Sequence, residues 1–408
     1  MTDPKKISVE QYLSMGQFET KAEVLDVSRG SKKLFIGIPV ESTLQENRVS
    51  LVPSSVSTLV AQGHRVLIES GAGEKSNFSN QDYSEVGAEI AYSKEEVFKA
   101  DCLLKVVPPT LSEIDLLHPN QLLISPLHLP FLTEEYLLKL KQKRVIALAM
   151  EYLQDRDGSF PVVRIMSEIA GLCAIHTAAE LLSSTSGGNG VLLGGISGVP
   201  PAKVVILGAG VVAEYATEAA LGLGATVCIF DNNIYKLMRL QNRLGRKVFT
   251  SVLNPVYLER ELITADVAIG AIHSKSGRAP MIVSEDMVRK MKPGAVIVDV
   301  SIDQGGCFET SEVTSHEKPT FTKHDVVHYC VPNLSSKVSR TASVAISNIL
   351  TPILLQASQT GSIEHLFASH PGLRHGIYTY KGCLTNEYLA YRYNIKFTDL
   401  NLLIATDY

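Results

Sequence analysis

The chain has 408 residues, a length that favours two or three domains over one. Its hydrophobic share of 45% indicates a globular protein with a sizeable core, and its formal net charge of -4 gives no electrostatic reason to expect nucleic acid or an anionic membrane as a partner. Six scattered cysteines without a C-x-x-C pair predict reduced thiols, and the absence of an unbroken apolar run of about 18 residues and of a signal peptide predicts a cytoplasmic protein.

The first part of the chain predicts an extension followed by alternating strands and helices. Residues 1–32 are polar and charged, which places them outside the first core. From Lys33 onwards, short apolar strands alternate with helical segments, a pattern typical of a mostly parallel sheet. The first helix is expected to begin at Pro53 and to end at Gly63, because proline suits the first helical position and glycine suits the stop.

A long helix is expected from Met166, with Ser167 as its cap, and a Gly/Pro-rich stretch then leads to the most informative segment. That segment, VVILGAGVVAEYATEAALGLGATVCIFD, predicts a strand, a glycine turn, a helix and a second strand. Gly208 permits the sharp turn, Gly210 lets the backbone approach a pyrophosphate, and Ala213 keeps the helix close to the strand. The helix N-terminus offers free N–H groups to phosphates. These features predict a Rossmann dinucleotide site.

The residues after the second strand favour NAD over NADP. Asp231 lies where an acidic side chain binds the ribose 2′-hydroxyl of NAD and repels a 2′-phosphate. Asn232 and Asn233 follow it, where an NADP site would use arginine. The nearest cations, Lys236 and Arg239, fall within the next helical stretch.

Further strands are expected at ADVAIGAI and AVIVDVSI, and another long helix from Val344 to Ala357. The last fifty or so residues are mixed and short in pattern. If this terminal segment returns to the first sheet, the nucleotide domain is an insert within the other domain.

Four residues that follow apolar strands are candidates for chemistry. Arg48 can pair with a substrate carboxylate or be a solvated surface arginine. Lys105 ends an apolar strand, so it must emerge at the strand end or be paired. His128 can act as an acid or base or be a hydrogen-bonded core histidine. Asp303 precedes two glycines and is either a ligand-facing or a turn aspartate, with Asp299 as the structural one.

Two other patterns are weaker. The segment GAGEKSNFS, from Gly71, contains G-x-G but no following helix pattern or acid, so a turn is expected there. His324, His328 and Cys330 lie close together, and as a strand they would share one face. No fourth ligand is evident, so no metal site is predicted.

The motifs of the chain resemble those of the alanine dehydrogenase family, which shares ancestry with the soluble nucleotide-binding subunit of proton-translocating transhydrogenase. The resemblance extends from about Leu34 to Leu403 and depends on these segments, in family order: ENRVSLVP, GHRVLIESGAGE, LLKVVPP, LHL, MSEIAG, LLGGISGVPPAKVVILGAGVVA, GAVIVDVSIDQGGCFETS and HYCVPN. It implies an α/β fold with two Rossmann-like domains and mostly parallel, doubly wound sheets, and a homo-oligomer, usually a hexamer.

The resemblance also implies a domain order in which the nucleotide domain is inserted. The expected ranges are 1–32 for the N-terminal extension, 33–162 and 339–408 for the substrate domain, and 163–338 for the NAD-binding domain. Ser339 stands where family members typically have a proline, so the loop around it is expected to be less rigid.

Carried over by motif, Arg48 and Lys105 hold the substrate's carboxylate and carbonyl, and His128 and Asp303 form the catalytic pair. The cofactor contacts implied by the resemblance are Ser167, Gly208, Ala209, Gly210, Val211, Val212, Ala213, Asp231, Val331, Asn333 and Leu334.

The implied activity is the reversible, NAD-dependent oxidative deamination of L-alanine to pyruvate and ammonia, a reaction of amino-acid catabolism. One alternative is a dehydrogenase of the same architecture with another amino acid as substrate. A second is the hydride-donor subunit of a transhydrogenase, which the lack of membrane segments and the LHL histidine disfavour. A third is a catalytically silent NAD-binding scaffold, which the presence of all four candidate residues disfavours.

Overall fold

The computed structural model describes residues 33–41, 45–129, 132–155, 157–274, 277–359, 366–367 and 370–405. The strands are β1 Phe35–Ile38, β2 Arg65–Glu69, β3 Glu89–Ala91, β4 Cys102–Leu104, β5 Leu122–Ser125, β6 Ile146–Ala149, β7 Lys203–Leu207, β8 Thr226–Phe230, β9 Phe249–Ser251, β10 Val267–Gly270, β11 Val296–Asp299, β12 Thr320–Lys323, β13 Val326–Tyr329, β14 Ile377–Tyr380 and β15 Cys383–Leu384. The N-terminal extension predicted for residues 1–32 lies outside the described residues.

The helices alternate with the strands through most of the chain. They are α1 Pro53–Ala61, α2 Asn80–Glu85, α3 Lys94–Val97, α4 Leu111–Leu116, α5 Glu134–Lys143, α6 Pro161–Leu181, α7 Val211–Gly222, α8 Ile234–Leu244, α9 Pro255–Ile263, α10 Glu285–Arg289, α11 Ser339–Gln359, α12 Pro371–Arg374, α13 Glu387–Tyr393 and α14 Leu400–Ala405.

The strands form two sheets, so the predicted α/β fold is confirmed. The first sheet has eight strands in the order β15-β14-β6-β5-β4-β1-β2-β3. Strands β1 to β6 pair in parallel, whereas β14 lies antiparallel to β6, with Ile377 opposite Leu148. The end of the chain therefore returns to the sheet with which the described part begins.

The second sheet has seven strands in the order β12-β13-β11-β10-β7-β8-β9, and only its edge strand β12 is antiparallel to its neighbour. The turn after β7 needs glycine, because Gly208 has a φ of +110° and a Cβ there would lie 2.4 Å from the carbonyl oxygen of Ala271. This close approach brings the ends of β7 and β10 together at the carboxyl edge of the sheet.

Local signals placed α1 correctly and α6 incorrectly. Helix α1 has Pro53 at its first position, and the chain turns out of it at Gly63, which has a φ of +83°. The expectation that Ser167 caps a helix from Met166 is wrong, because Pro161 starts the helix earlier. Ser167 is therefore an interior residue of α6.

Helices α6 and α11 each pack into the cores of both sheets. In α6, Val162 lies in the core of the first sheet and Ala174 in that of the second. In α11 the order is reversed, because Ala342 lies in the second core whereas Ile346 and Leu350 lie in the first. These two helices thus connect the sheets through continuous packing.

Two long helical segments have the length and apolar composition of a membrane span. They are Pro161–Leu181 and Leu334–Gln359, and in their most apolar windows 50% and 44% of the residues are buried inside the protein. A core helix of a globular protein passes the same test, so this is weak evidence for a membrane segment.

The six cysteines are all free thiols, and five of them are buried.

Candidate active site

Three of the four candidate residues come together where the two sheets meet. The electrostatic surroundings of His128 include Asp303 and Arg48, and those of Asp303 include His128 and Arg48. Arg48 follows β1 and His128 follows β5 in the first sheet, whereas Asp303 follows β11 in the second. The site is therefore assembled from both sheets, at the carboxyl ends of their parallel strands.

Arg48 is held by a carboxylate that was not among the predicted site residues. Its Nε and Nη2 atoms donate to the two carboxylate oxygens of Glu46 at 2.7 and 2.6 Å. Its Nη1 atom makes longer contacts of 3.2 Å with Ser335 Oγ and with Met166 Sδ. The side chain of Glu46 is fully buried, and that of Arg48 is 11% exposed. The guanidinium is thus fixed in a bidentate pair before any substrate binds.

Glu46 also accepts hydrogen bonds from two side chains in the segment after β13 of the second sheet. Asn333 Nδ2 donates to its Oε2 at 2.7 Å, and Ser336 Oγ donates to its Oε1 at 3.2 Å. Burial raises the pKa of Glu46, but the charge and hydrogen bonds of Arg48 lower it by more, so the pKa lies below its ordinary value. Glu46 is therefore held as a carboxylate.

Lys105 forms a buried ion pair and does not reach solvent at the strand end, so the second of the two possibilities left open by the sequence applies. Its side chain is 1% exposed, and its Nζ lies 2.8 Å from Glu41 Oε2 and 3.6 Å from Glu113 Oε2. The other oxygen of Glu41 accepts the backbone N–H of Val106 at 2.6 Å. Burial raises the pKa of Glu41, and the Lys105 ammonium opposes that rise. Both candidate substrate-binding cations therefore have buried acidic partners.

These acidic partners had only a partial signal in the sequence. Glu46 lies two residues before Arg48, so its closeness in the chain could have suggested that pair, whereas Glu41 and Lys105 lie 64 residues apart. Glu113 lies in α4, and nothing in its sequence context points to Lys105.

His128 lies in a turn that another buried carboxyl group holds. Its φ is +52°, in the left-handed region that residues other than glycine rarely adopt. Glu151 Oε1 accepts the backbone N–H of Leu127 at 2.7 Å and that of His128 at 3.2 Å. Burial lowers the pKa of the His128 imidazole, and Arg48 lowers it too, whereas Asp303 raises it. The neutral imidazole is favoured as a result.

Asp303 lies in a short helical turn, Val300–Gln304, that follows β11. Its Oδ1 accepts the backbone N–H of Asn333 at 2.9 Å. Asp303 is exposed, yet the protein around its carboxyl group excludes water from it, and this desolvation raises the pKa. The hydrogen bond from Asn333 and the charges of His128 and Arg48 oppose that rise. It can therefore exchange a proton closer to neutral pH than an ordinary aspartate.

Asp299 has the local, structural contacts expected of it. Its carboxylate accepts the backbone N–H groups of Ser301 and Cys307 and the hydroxyl of Ser311. These bonds fold the loop that carries Asp303.

The nucleotide turn has the space and donors that a pyrophosphate needs. A Cβ on Gly210 would meet no atom within 4 Å, so the backbone is open to a ligand there. Helix α7 begins immediately afterwards, and no side chain caps its N-terminus. Ala213 is fully buried at the third position of the fingerprint. The residues present therefore fit the phosphates of a dinucleotide.

Asp231 lies directly after β8, as expected, and its carboxylate also accepts two hydrogen bonds from the backbone nearby. Its carboxylate oxygens accept the backbone N–H groups of Ala209 and Asn233, both at 2.7 Å. It thus braces the glycine turn from the neighbouring strand, and a substitution there is expected to affect the turn as well as a ribose.

The remaining predicted cofactor contacts lie in α6 and in the segment after β13. In α6, a Cβ on Gly171 would lie 2.4 Å from the carbonyl oxygen of Val212, so α6 packs closely on the start of α7. Ser167 lies one helical turn before Gly171, on the same face. After β13, Val331 and Leu334 are buried, and Asn333 adopts a left-handed φ of +56°.

The histidine pair near β13 makes separate contacts. His324 precedes the strand in a turn, where its Nε2 lies 2.6 Å from Glu285 Oε1. His328 Nε2 lies 2.8 Å from Thr310 Oγ1, and its ring stacks on Phe321. Within the described ranges, no group of three or more His, Cys, Asp or Glu residues could hold a metal ion.

Comparisons with known proteins show the family of the chain. Residues 37–170 match the family model "Alanine dehydrogenase/PNT, N-terminal domain", and residues 174–387 match "Alanine dehydrogenase/PNT, C-terminal domain". The chain is 42% identical over 364 residues to "Alanine dehydrogenase 2" of Staphylococcus aureus (strain USA300), covering 89% of this chain and 97% of the relative.

Two solved structures have the same architecture. A structure titled "L-alanine dehydrogenase" superimposes with a TM-score of 0.82 at 39% identity, covering 88% of this chain and 99% of that one. A transhydrogenase from Sinorhizobium meliloti superimposes with a TM-score of 0.73 at 24% identity, covering 86% and 99% of the two chains. At that lower identity, the second match supports the fold alone.

Proposed function

The chain belongs to the alanine dehydrogenase/PNT family, and on this premise we propose that it catalyses the reversible oxidative deamination of L-alanine to pyruvate and ammonia, with NAD as the hydride acceptor. The observation that carries the proposal is the meeting of Arg48, His128 and Asp303 at the junction of the two sheets. A cation, an imidazole and a carboxylate are the groups that the reaction requires.

Substrate binding is assigned to Arg48 and Lys105. A guanidinium has five N–H donors, and Glu46 takes two of those on the Arg48 side chain. The Nη1 partners are a neutral hydroxyl and a thioether, Ser335 Oγ and Met166 Sδ, which are weaker acceptors than a carboxylate, so a substrate carboxylate can replace them at little cost. Lys105 is assigned to the carbonyl, where its charge polarises the oxygen. Both residues act chiefly by positioning the small acid for reaction.

Proton transfer is assigned to His128 and Asp303. The bound dinucleotide supplies the site that accepts or donates hydride. Asp303 orients and activates the water that attacks the imine, and its raised pKa suits an exchangeable proton. His128 hydrogen-bonds the developing carbinolamine oxygen and shuttles its proton. A neutral imidazole can accept that proton, which agrees with the lowered pKa of His128.

We further propose that NAD binds at the Gly208–Ala213 turn with Asp231 on the ribose. The open backbone at Gly210 and the uncapped start of α7 support this assignment.

We propose that residues 33–162 and 339–408 form the substrate domain and that residues 163–338 form the NAD-binding domain. From the family resemblance we also propose that the protein is cytoplasmic and assembles as a homo-hexamer. Closing of the cleft between the domains is proposed to exclude bulk water from the hydride step.

The test is a direct assay in both directions. The purified protein is incubated with L-alanine and NAD, or with pyruvate, ammonium and NADH, and the absorbance of NADH is followed. Larger amino acids and NADP serve as comparisons for substrate and cofactor choice. Turnover with alanine above that with the larger amino acids is expected. Binding of NADH without turnover of alanine or pyruvate would favour a silent scaffold or a different substrate.

A further inference from the structure

Glu46 connects the proposed substrate site to the proposed cofactor site. It lies in the loop after β1, with a fully buried side chain, and pairs with both ends of the Arg48 fork. The same carboxylate accepts Asn333 Nδ2 at 2.7 Å and Ser336 Oγ at 3.2 Å from the segment after β13. One buried anion is thus shared by residues from both sheets.

The carboxylate has no spare capacity. Besides the side-chain donors, its Oε1 accepts the backbone N–H groups of Asn47 at 3.1 Å and Arg48 at 2.8 Å. A carboxylate has about four lone-pair sites, so six donors compete for them. If Asn333 moves away, the lone pair that it occupied becomes open to the competing donors, and two of these donors belong to the Arg48 side chain.

The loop of Asn333 is also bonded to the proposed catalytic carboxylate, because its backbone N–H donates to Asp303 Oδ1. A movement at Asn333 thus reaches Asp303 through the main chain and Arg48 through the side chain. A second bridge supports the same junction, since the backbone N–H of Asn47 donates to Ser336 Oγ at 2.9 Å.

From this arrangement, and building on the proposed function, we infer that Glu46 is a positioning residue that couples the substrate-binding Arg48 to the cofactor-side residue Asn333. Disturbing Asn333 then weakens pyruvate binding even though Asn333 lies on the other side of the cleft, and it does so through Glu46. A residue that only stabilised the fold would not transmit this effect.

A double-mutant cycle tests the inference. Glu46→Gln, Asn333→Ala and the double variant are compared with the wild type for pyruvate KM, kcat and NADH affinity, the last by NADH fluorescence without substrate. Glu46→Gln is expected to raise pyruvate KM about tenfold, because the amide loses the charge that orients the guanidinium. Its NADH affinity is expected to stay within about threefold, since the nucleotide turn lies elsewhere. Glu312→Gln is the matched control, because Glu312 is an exposed carboxylate in an ion pair of 3.8 Å with Lys323.

The decisive quantity is the effect of Asn333→Ala in the two backgrounds. In the wild type it should raise pyruvate KM about fivefold, and in the Glu46→Gln background it should change KM by less than about twofold. Equal fold-changes in both backgrounds would overturn the inference. If Glu46→Gln does not fold, the same comparison is made in the Arg48→Lys background, with the same criterion. A wild type that binds NADH but does not turn over pyruvate overturns the proposed function, whereas an active wild type with additive variants overturns only the coupling.

Discussion

Glu151→Ala is expected to slow turnover strongly, although Glu151 is not one of the proposed catalytic groups. The side chain accepts two backbone N–H groups, at 2.7 Å from Leu127 and 3.2 Å from His128, in a turn where His128 has a φ of +52°. Leaving a buried N–H without an acceptor costs about 1–3 kcal/mol. A left-handed conformation at a residue other than glycine costs a further 1–2 kcal/mol or so, which the wild type offsets with these bonds.

The turn therefore loses roughly 2–4 kcal/mol of support in the alanine variant. If only half or so of that loss is expressed as misplacement of the imidazole, kcat falls about 5- to 30-fold. The assay is kcat at saturating pyruvate, ammonium and NADH, with NADH affinity measured separately and expected to be unchanged.

Glu151→Gln is the matched control, because its amide oxygen can still accept both N–H groups. Burial raises the pKa of Glu151, so the folded state disfavours its ionised form, and stability is lost as pH rises above the ordinary glutamate pKa. Removing the charge is thus expected to leave kcat within about threefold and stability at neutral pH no lower than in the wild type. A Glu151→Ala variant with kcat within twofold or so of the wild type would refute the reasoning, since its premise is that the turn needs this acceptor.

Four further results are expected. His128→Ala should abolish turnover and leave NADH affinity near that of the wild type; more than about a tenth of the wild-type kcat would mean that His128 is not the acid–base group. Asp231→Ser should weaken NAD binding and relax discrimination against NADP, and equal wild-type activity with the two cofactors would contradict the NAD assignment. Arg48→Lys should raise pyruvate KM about 10- to 150-fold, because lysine cannot reproduce the fork; a KM within twofold or so would place the carboxylate elsewhere. The lowered pKa of Glu46 means that its contribution to stability is complete above the ordinary value of 4.5 and is lost as pH falls through the folded-state value. The difference in unfolding free energy between the wild type and Glu46→Gln, measured with denaturant, should therefore shrink as pH falls below about 5, and a constant difference would contradict the ion pairing.

The sequence predicted the sheets well because their signals are local. The apolar strands, the proline at Pro53 and the glycines at Gly63 and Gly208 all lie where short-range steric rules place them. The start of α6 was misplaced because Ser167 is a common capping residue, whereas Pro161 marks the actual first turn.

The sequence singled out candidate residues that the structure brings near one another, but it did not identify the charged groups that surround them. The sequence left Lys105 either exposed at the strand end or paired and suggested no protein partner for Arg48, whereas in the structure Arg48 is bound to the buried carboxylate of Glu46 and Lys105 to that of Glu41. The pairing of Lys105 with Glu41 depends on which strand ends become neighbours, and β1 lies beside β4 only once the sheet has formed. Glu151 could not be identified from the sequence for the same reason, because it follows β6 and accepts the backbone N–H of His128 only once β5 and β6 have paired.

The return of the chain to its first sheet determines the order in which the protein can assemble during synthesis. Strand β14 pairs with β6, with Ile377 opposite Leu148, so that sheet stays incomplete until β14 has left the ribosome. The seven-stranded sheet is contiguous in sequence from β7 to β13 and can fold earlier. In the meantime β6, whose four residues are all buried in the finished protein, has an unpaired edge. A nascent or truncated chain lacking β14 is therefore expected to associate with other copies through this edge.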